Sequence, residues 1–147
     1  LEANYRLING PSGSIGSALP MGLGAKAAHP DRHVFSCMGD GTFGFHAMEF
    51  DTAVRYDLPI VVLVGNDAKW NAEYQIQVKT YGVDRTVGCE LLPTRYDEVA
   101  RALGGHGEFV ERPEDLTPAL ERSVASGLPA CVNIAIHGAD APMFRTD

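Results

Sequence analysis

Four short, mostly apolar segments constrain this sequence most, because each is suited to one buried strand. They lie at residues 33–38, 60–64, 109–110 and 129–136. Segments that favour helices separate them, at residues 17–28, 45–57, 96–103 and 113–126, with a further helix expected at 68–79 and a long loop at 80–95. Buried strands that alternate with helices are typical of a parallel sheet covered on both sides. The sequence therefore predicts an α/β fold: a parallel sheet with helices on both faces.

Length, charge and cysteine content limit the classes of protein to which the chain can belong. With 147 residues it is long enough for one domain with a substantial core and short for two. The net charge of −7, without a run of basic residues, makes nucleic acid and anionic membrane poor partners. No apolar run in the sequence approaches the length that spans a bilayer. The three cysteines are widely spaced and form no CxxC pair, which favours a reducing, cytoplasmic setting over a disulfide framework or a zinc site.

Polar residues follow the first two predicted strands at the point where each strand ends. Gly39-Asp40-Gly41 comes after the first strand, and Asn66-Asp67 comes after the second. Because the carboxyl ends of neighbouring parallel strands meet at one edge of a sheet, we expect Asp40 and Asp67 to face each other there. Two carboxylates in one cleft favour a hard cation such as Mg²⁺, which in proteins commonly shares phosphate oxygens. The pattern predicts a magnesium–diphosphate site, although each sequence alone is also ordinary turn chemistry.

The interval between these two motifs resembles the signature of thiamine diphosphate enzymes, in which GDG is followed at a similar distance by NN. Further segments match the same family in the same order, at residues 15–20, 24–26, 29–31, 38–43, 49–53, 58–60 and 128–134. From about residue 10 to residue 136, the chain resembles the C-terminal, diphosphate-binding domain of the acetolactate synthase-like branch, which includes benzaldehyde lyase and 2-hydroxyacyl-CoA lyases. The resemblance implies a thiamine diphosphate-binding fold across residues 1–147, with thiamine diphosphate and Mg²⁺ as cofactors.

By position, the resemblance implies particular ligands for the metal and the diphosphate. Asp40 matches the family's metal-binding aspartate, and Asp67 stands where the family carries the second Asn of NN. Lys69 stands where a backbone carbonyl completes the protein ligands, and its ammonium is free to lean toward the diphosphate. The implied phosphate contacts lie where the following helix begins and its dipole favours an anion: Gly39, Gly41 and Thr42.

Two positions upstream complete the implied cofactor site, and two others depart from the family. Gly13 would present its carbonyl to the aminopyrimidine ring, and Ile15 stands where a bulky apolar residue holds the cofactor bent. The alternative for Ile15 is an ordinary core residue at the start of a helix. Asp67 replaces the usual Asn and adds negative charge beside the diphosphate, whereas Asn71 replaces a frequent Gly. The pocket wall is therefore expected to differ from that of the relatives.

Other polar and aromatic side chains near these motifs allow two interpretations. Three side chains that follow Asn66-Asp67 are candidates to line a substrate pocket, with core or interface packing as the alternative. They are Trp70, Glu73 and Tyr74. His46 and Glu49 have chemistry suited to acid–base catalysis. A structural or solvated role is expected for both, because they lie on the helix that follows Gly39-Asp40-Gly41. No catalytic residue is assigned within this sequence.

The resemblance also implies a larger assembly. In the resembling enzymes an activating glutamate lies on the N-terminal pyrimidine-binding domain of a neighbouring subunit, and this sequence has no match for it. We expect a C-terminal fragment of a longer enzyme subunit, inactive alone, that works as a homodimer or homotetramer. The implied reactions make or break a C–C bond next to a carbonyl of a small 2-oxo acid, aldehyde or acyl-CoA, by decarboxylation, carboligation or lyase chemistry. The alternative is a non-catalytic α/β module that binds a nucleotide or coenzyme A diphosphate, although the sequence has no GxGxxG after a strand and no P-loop lysine motif.

Overall fold

A computed structural model describes residues 14–139 and shows one parallel sheet with helices packed against it. The elements, in chain order, are α1 (Ala18–Ala28), β1 (Phe35–Gly39), α2 (Asp40–His46), α3 (Glu49–Arg55), β2 (Val61–Asn66), α4 (Asn71–Tyr81), a short 3₁₀ helix (Val83–Arg85), α5 (Tyr96–Ala102), β3 (His106–Val110), α6 (Pro113–Ala125) and β4 (Ala130–Ala135). All strand pairs are parallel, and the order across the sheet is β1-β2-β4-β3. The predicted parallel α/β fold is confirmed.

Burial on both faces of the central strands explains why their sequences are mostly apolar. Successive side chains of a strand point to opposite faces of the sheet. Val62 of β2 is buried in one core with Cys131 of β4, and Val61 is buried in a second core with Val132. Because full burial of a side chain of this kind contributes about 1.5–3 kcal/mol, the two cores fix β2 and β4 at the centre of the sheet.

Helices cover the two faces with different arrangements. On the first face, Phe43 of α2 contacts the rings of Phe50 in α3 and Tyr96 in α5 edge-on, at centroid distances of 5.9 Å and 5.2 Å. On the second face lies α6, which has Pro113 in its first turn and buries Ala119 against the sheet. None of the residues of α4 is buried. No helix within residues 14–139 is both long and apolar enough to cross a membrane.

The single helix expected at residues 45–57 is wrong. Instead α2 begins at Asp40, directly after β1, and a turn separates it from α3. A carboxylate in the first turn of a helix interacts favourably with the helix dipole, which allows an aspartate to begin α2. The motif that ends the strand is therefore also the start of the helix.

The starts of β3 and α4 also differ from the prediction. β3 begins at His106, earlier than expected, because His106 and Glu108 pair with each other at 2.9 Å and make a polar segment compatible with a strand. α4 begins at Asn71, later than expected. The later start leaves residues 67–70 as a loop at the end of β2, where the candidate site lies.

Candidate functional site

The ends of β1 and β2 lie side by side, and the two polar motifs meet there. The register pairs Gly39 with Gly65, so both motifs begin at the same level of the sheet. Asp40 then starts α2 and is only 2% exposed. Its carboxylate accepts hydrogen bonds from the Gly41 N–H at 2.9 Å and from the Lys69 N–H at 3.2 Å. The Asp40 carboxylate therefore joins the two strand ends.

The surroundings of Asp40 favour a positive charge beside it. Burial raises the pKa of Asp40 above its usual value, the Gly41 N–H opposes this rise, and the negative charge of Asp67 adds to it. Within residues 14–139, no group of three or more His, Cys, Asp or Glu side chains is arranged to hold a metal. Besides the nearby Asp67, a cation at Asp40 would therefore take its ligands from backbone and phosphate oxygens, which suits Mg²⁺.

An antiparallel bridge between Lys69 and Glu90 orients the Lys69 backbone. The two flanking hydrogen bonds, both 2.8 Å long, are made by the chain neighbours of Lys69 and not by Lys69 itself. In a pair of this kind the bridging residue turns its own N–H and C=O away from the partner strand. Since the Lys69 N–H meets Asp40 on that side, its carbonyl faces the same side. The ammonium lies over the Tyr74 ring, 4.2 Å from the centroid, so it does not serve as a free cation in the cleft.

The side chain of Gln77 attaches α4 to the segment at residues 87–90, which contains the partner residue of this bridge. Its Oε1 accepts the Val87 N–H at 2.8 Å, and its Nε2 donates to the Val87 carbonyl at 3.2 Å. The same Nε2 lies 2.9 Å from the Cys89 Sγ. Gln77 thus pairs with the loop as the backbone of a neighbouring strand would, and it fixes the loop that orients Lys69.

Asn66 and Asp67, although adjacent in sequence, have different surroundings. Asn66 is 8% exposed, and its side-chain oxygen accepts the Ala68 N–H at 3.1 Å to form an Asx turn. Ala68 has a φ of 55°, in the left-handed region that is unfavourable for alanine. Asp67 instead lines the cleft beside Asp40. Asn66 therefore belongs to the turn, and Asp67 belongs to the site.

The predicted cofactor-binding residues that the structure describes come together in one cleft of about 260 Å³ at this edge of the sheet. They are Ile15, Gly39, Asp40, Gly41, Thr42, Asp67 and Lys69. Gly13 lies outside the described residues. Ile15 is 49% exposed and borders the cleft, so it is not an ordinary core residue of this chain. Their roles as ligands stay predictions.

Trp70 forms the wall of the cleft next to the start of α2. A Cβ added to Gly41 would lie 2.6 Å from the Trp70 ring, so only glycine fits there. Phe45 also contacts the Trp70 ring edge-on, with centroids 5.6 Å apart. Asn71 and Glu73 line the same side of the cleft. The interpretation of Trp70 and Glu73 as cleft-lining residues agrees with this geometry.

Three other candidates do not line the cleft. Tyr74 supports the Lys69 ammonium instead. His46 is exposed at the end of α2, and Glu49 is partly exposed at the start of α3. Their positions agree with the structural or solvated role expected for His46 and Glu49.

Asn71 holds the segment that follows β4. Its Nδ2 donates to the Ala139 carbonyl at 2.8 Å. A Cβ added to Gly138 would lie 2.8 Å from the Asp67 Oδ2, so this segment passes close to the loop at residues 67–70. Asn71 therefore fixes the segment that contains Gly138 and Ala139 beside Asp67.

A second cavity, of about 230 Å³, lies at the opposite edge of the sheet. Its buried ammonium, Lys26, already donates to the Pro30 and Arg32 carbonyls, both at 2.7 Å. Helices α1 and α6 end near this cavity, and helix C-termini disfavour anions. A diphosphate is therefore expected to bind at the edge of the sheet that carries Asp40 and not at this second cavity.

Similarity to known proteins extends over most of the chain, including this edge of the sheet. The family described as thiamine pyrophosphate enzyme, C-terminal TPP binding domain, matches residues 2–134. The chain belongs to this family. The family predicted from the GDG motif and its spacing is confirmed, and the cleft at Asp40 lies in a thiamine pyrophosphate-binding domain.

Relatives of this thiamine pyrophosphate-binding domain include enzymes with different names and substrates. The acetolactate synthase large subunit IlvG of Mycobacterium tuberculosis is 51% identical over 129 residues, which are 87% of this chain and 23% of that protein. The sulfoacetaldehyde acetyltransferase of Alcaligenes xylosoxydans is 40% identical over 112 residues, 76% of this chain and 18% of that protein. The human 2-hydroxyacyl-CoA lyase 2 is 36% identical over 136 residues, 89% of this chain and 21% of that protein. The chain thus spans less than a quarter of each relative.

A solved structure matches the fold of the domain. It is a thiamine diphosphate-dependent 4-hydroxybenzoylformate decarboxylase of Rhodococcus jostii, with a TM-score of 0.79 and 26% identity. The match covers 88% of this chain and 24% of that one. The predicted thiamine diphosphate-binding fold is confirmed.

Sequence reasoning missed residues that shape this thiamine pyrophosphate-binding domain around its cleft. Gly65 and Ile136 line the cleft and carry no chemical signal that would single them out. Asn133 is fully buried beneath the turn and bonded to Asn66 at 3.2 Å. It is an amide within an otherwise apolar strand, and that was a usable signal, because a buried polar group requires a partner.

Proposed function

We propose that this domain binds the diphosphate of thiamine diphosphate through Mg²⁺, with Asp40, Asp67 and the Lys69 backbone carbonyl as protein ligands. The observation that carries the proposal is the buried Asp40 carboxylate, which is bonded to the Lys69 backbone at 3.2 Å and has the charge of Asp67 nearby. The donor set fits the metal, because Mg²⁺ takes oxygen ligands and retains positions for phosphate oxygens. Gly39, Gly41 and Thr42 line the same cleft and would supply the phosphate contacts.

For the whole protein, we propose an acetolactate synthase-like enzyme that makes or breaks a C–C bond next to a carbonyl. The reaction would be decarboxylation, carboligation or lyase cleavage of a small 2-oxo acid, aldehyde or acyl-CoA, and the names of the relatives support this range. When bound, thiamine diphosphate supplies a carbon nucleophile and an electron sink for the substrate carbonyl. This domain holds and orients: Ile15 supports the cofactor from the cleft, and Trp70 and Glu73 border the space left for substrate.

We also propose that this is the C-terminal domain of a longer subunit in a homodimer or homotetramer. The activating glutamate would come from the N-terminal pyrimidine-binding domain of a neighbouring subunit, so the 147-residue chain alone should show no turnover. The coverage of the relatives, 23% for the mycobacterial protein, supports a longer enzyme. Cys37, Cys89 and Cys131 are free thiols, which favours a reducing compartment and a cytoplasmic location.

Calorimetric titration of the protein at its full natural length tests the binding proposal. Thiamine diphosphate is titrated with and without Mg²⁺, and ADP and coenzyme A serve as controls that also carry a diphosphate. The expected result is binding of thiamine diphosphate only when Mg²⁺ is present, with no comparable binding of the controls. Preferential binding of ADP or coenzyme A would instead establish the non-catalytic module.

A further inference from the structure

The side chain of Asn133 lies in the middle of an apolar strand and is fully buried. The register between β2 and β4 pairs Asn133 with Val64, so the next residue of β2 on the same face of the sheet is Asn66. The two amides meet there, with Asn66 Nδ2 donating to Asn133 Oδ1 at 3.2 Å. Burial of an amide is unfavourable unless it is hydrogen-bonded, so the partners of Asn133 determine its orientation.

On the other side, Asn133 contacts a buried carboxylate. Its Nδ2 donates to the Asp97 Oδ1 at 3.2 Å, and Asp97 is 0% exposed. Arg95 binds both oxygens of Asp97, through Nε at 2.9 Å and Nη2 at 2.7 Å. The Arg95 guanidinium also lies over the Phe109 ring, 4.1 Å from its centroid. Burial acts to raise the pKa of Asp97, but the hydrogen bonds from Arg95 and Asn133 hold it below its usual value, so Asp97 is a fixed anion.

This anion determines which way each amide points, together with the Thr94 carbonyl, which accepts hydrogen bonds from Asn66 Nδ2 at 2.9 Å and from Asn133 Nδ2 at 3.2 Å. An ionised carboxylate only accepts hydrogen bonds, so Asn133 must turn its NH₂ to Asp97 and its oxygen to Asn66. Asn66 then turns its NH₂ to Asn133 and to the Thr94 carbonyl, 2.9 Å away. Its oxygen is left for the Ala68 N–H, at 3.1 Å. The hydrogen-bond chain therefore has one direction, from the carboxylate to the left-handed residue of the turn.

We propose that Asn133 is a positioning residue for the metal-binding turn at residues 66–69. It transmits the fixed orientation of Asp97 to Asn66, and the Asn66 oxygen holds the left-handed conformation at Ala68. The turn then presents the side chain of residue 67 and the carbonyl of residue 69 to the metal. This inference rests on the proposed function, because it concerns the ligands assigned there. Mg²⁺ requires near-ideal octahedral geometry, so a loosened turn should harm Mg²⁺ binding more than binding of the larger, more adaptable Ca²⁺.

The variant Asn133→Leu removes the amide and keeps the branched shape of the side chain. In the protein at its full natural length, calorimetry measures the affinities for Mg²⁺ and Ca²⁺ in the presence of thiamine diphosphate. The Mg²⁺ affinity should fall about 10-fold, a usual effect of removing a partner behind the metal ligands, and the Ca²⁺ affinity should fall less. Val132→Ala is the matched control, because Val132 is buried on the opposite face of the same strand. It should lower thermal stability and leave the Mg²⁺/Ca²⁺ affinity ratio unchanged.

A second variant tests how the positioning works. Glycine adopts the left-handed conformation freely, so adding Ala68→Gly to Asn133→Leu should restore part of the lost Mg²⁺ affinity. A purely structural role of Asn133 predicts no such recovery. If Asn133→Leu does not fold, Asn133→Ala takes its place, because the smaller side chain admits water to Asp97 and Asn66.

The outcomes separate this inference from the proposed function. A lowered Mg²⁺/Ca²⁺ ratio that Ala68→Gly partly restores supports the inference. Equal losses for both ions, or unchanged affinities, overturn it while wild-type binding leaves the proposed function standing. A wild-type protein that shows no Mg²⁺-dependent binding of thiamine diphosphate overturns both.

Discussion

The Lys69 backbone N–H donates a hydrogen bond to the Asp40 Oδ2 at 3.2 Å, although the two residues lie 29 positions apart. The bond connects the loop after β2 to the start of α2 through protein groups alone. The carboxylate is thereby held in place before any ion arrives. A metal that binds here does not have to organise its first ligand, which lowers the entropic cost of binding.

Asp40→Asn should abolish the thermal stabilisation by Mg²⁺ and thiamine diphosphate, with little effect on the stability of the metal-free protein. The substitution removes a buried carboxylate whose pKa is raised by burial and, in part, by Asp67, and this favours the folded state. It also removes one acceptor for an N–H group, which disfavours the folded state. These effects oppose each other, so the metal-free Tm should stay within roughly 2–4 °C of wild type, equivalent to about 1 kcal/mol. Thermal unfolding with and without Mg²⁺ and thiamine diphosphate is the measurement. Stabilisation of the variant by Mg²⁺ and cofactor would contradict the assignment of Asp40.

The variants Asp67→Ala and Asn66→Ala should distinguish a residue that binds the metal from a residue that stabilises the turn. Asp67→Ala removes a metal oxygen and should lower Mg²⁺-dependent affinity for thiamine diphosphate more than 10-fold, about 1.4 kcal/mol or more, at unchanged metal-free stability. Asp67→Asn should retain binding, because it keeps an oxygen ligand. Asn66→Ala should lower the metal-free Tm, since Asn66 is bonded to Thr94 and Asn133, and weaken binding less. If Asp67→Ala binds like wild type and Asn66→Ala does not, Asn66 is the ligand.

Gly41→Ala should disturb the cleft, whereas Gly44→Ala on the same helix should not. A Cβ at position 41 meets the Trp70 ring at 2.6 Å, but a Cβ at position 44 meets nothing within 4 Å. Overpacking at position 41 should cost about 1–3 kcal/mol and weaken cofactor binding. Gly44→Ala should instead stabilise α2 by about 0.5–1 kcal/mol, since alanine is the better helix former. Urea unfolding and calorimetry compare the two variants, and equal behaviour would show that Trp70 yields without cost.

Asp97→Asn should reduce the dependence of stability on acid pH. Burial acts to raise the pKa of Asp97, but hydrogen bonds from Arg95 and Asn133 place it below the usual 3.8. Ionised Asp97 therefore stabilises the folded protein above pH 3.8, and this contribution is lost as the pH falls through the lower folded-state pKa. Urea unfolding across this acid range and at neutral pH should show a steeper acid loss in wild type. Parallel curves for the two proteins would contradict the role of Asp97 as a fixed anion.

Ile15 should affect turnover more than metal binding. If its half-exposed side chain supports the bound cofactor, Ile15→Ala should lower kcat of the full-length enzyme and leave Mg²⁺ binding intact. Ile15→Leu and Ile15→Met keep the apolar volume and should be mild, with less than about 1.5 kcal/mol of effect. Steady-state kinetics and calorimetry on the three variants provide the comparison. An equal loss in all three would indicate a packing role.

The location of the site follows from local sequence, because Asp40 and Asp67 each come directly after an apolar run and parallel strands share a carboxyl edge. The early start of β3 does not follow from local sequence. Its polar residue Glu108 is accommodated in a strand by Arg122, which lies 14 positions on and binds both carboxylate oxygens. Strand preference depends on such neighbours across the fold, which local propensity does not describe.

The buried hydrogen-bond chain beneath the turn illustrates the same limit within the site. Asn133 is visible in the sequence as an unusual residue, but its partners Asp97 and Asn66 are 36 and 67 positions away. Three distant segments have to be packed before the amide has anything to bind. The pattern therefore predicts where metal ligands lie, and only the packed structure shows what holds them.

The Gln77 side chain links helix α4, at the surface of the domain, to the segments that surround the candidate site. Helix α4 begins at Asn71, just after the turn at residues 66–69, and its Gln77 side chain binds a second loop at Val87. The Trp70 N–H donates a hydrogen bond to the Cys89 carbonyl of that loop at 2.8 Å. The helix, the loop and the turn thus form a closed linkage, in which a displacement of one member moves the others. Loss of the Gln77 side chain would open this linkage, because the loop would lose both of its hydrogen bonds from Gln77 to Val87.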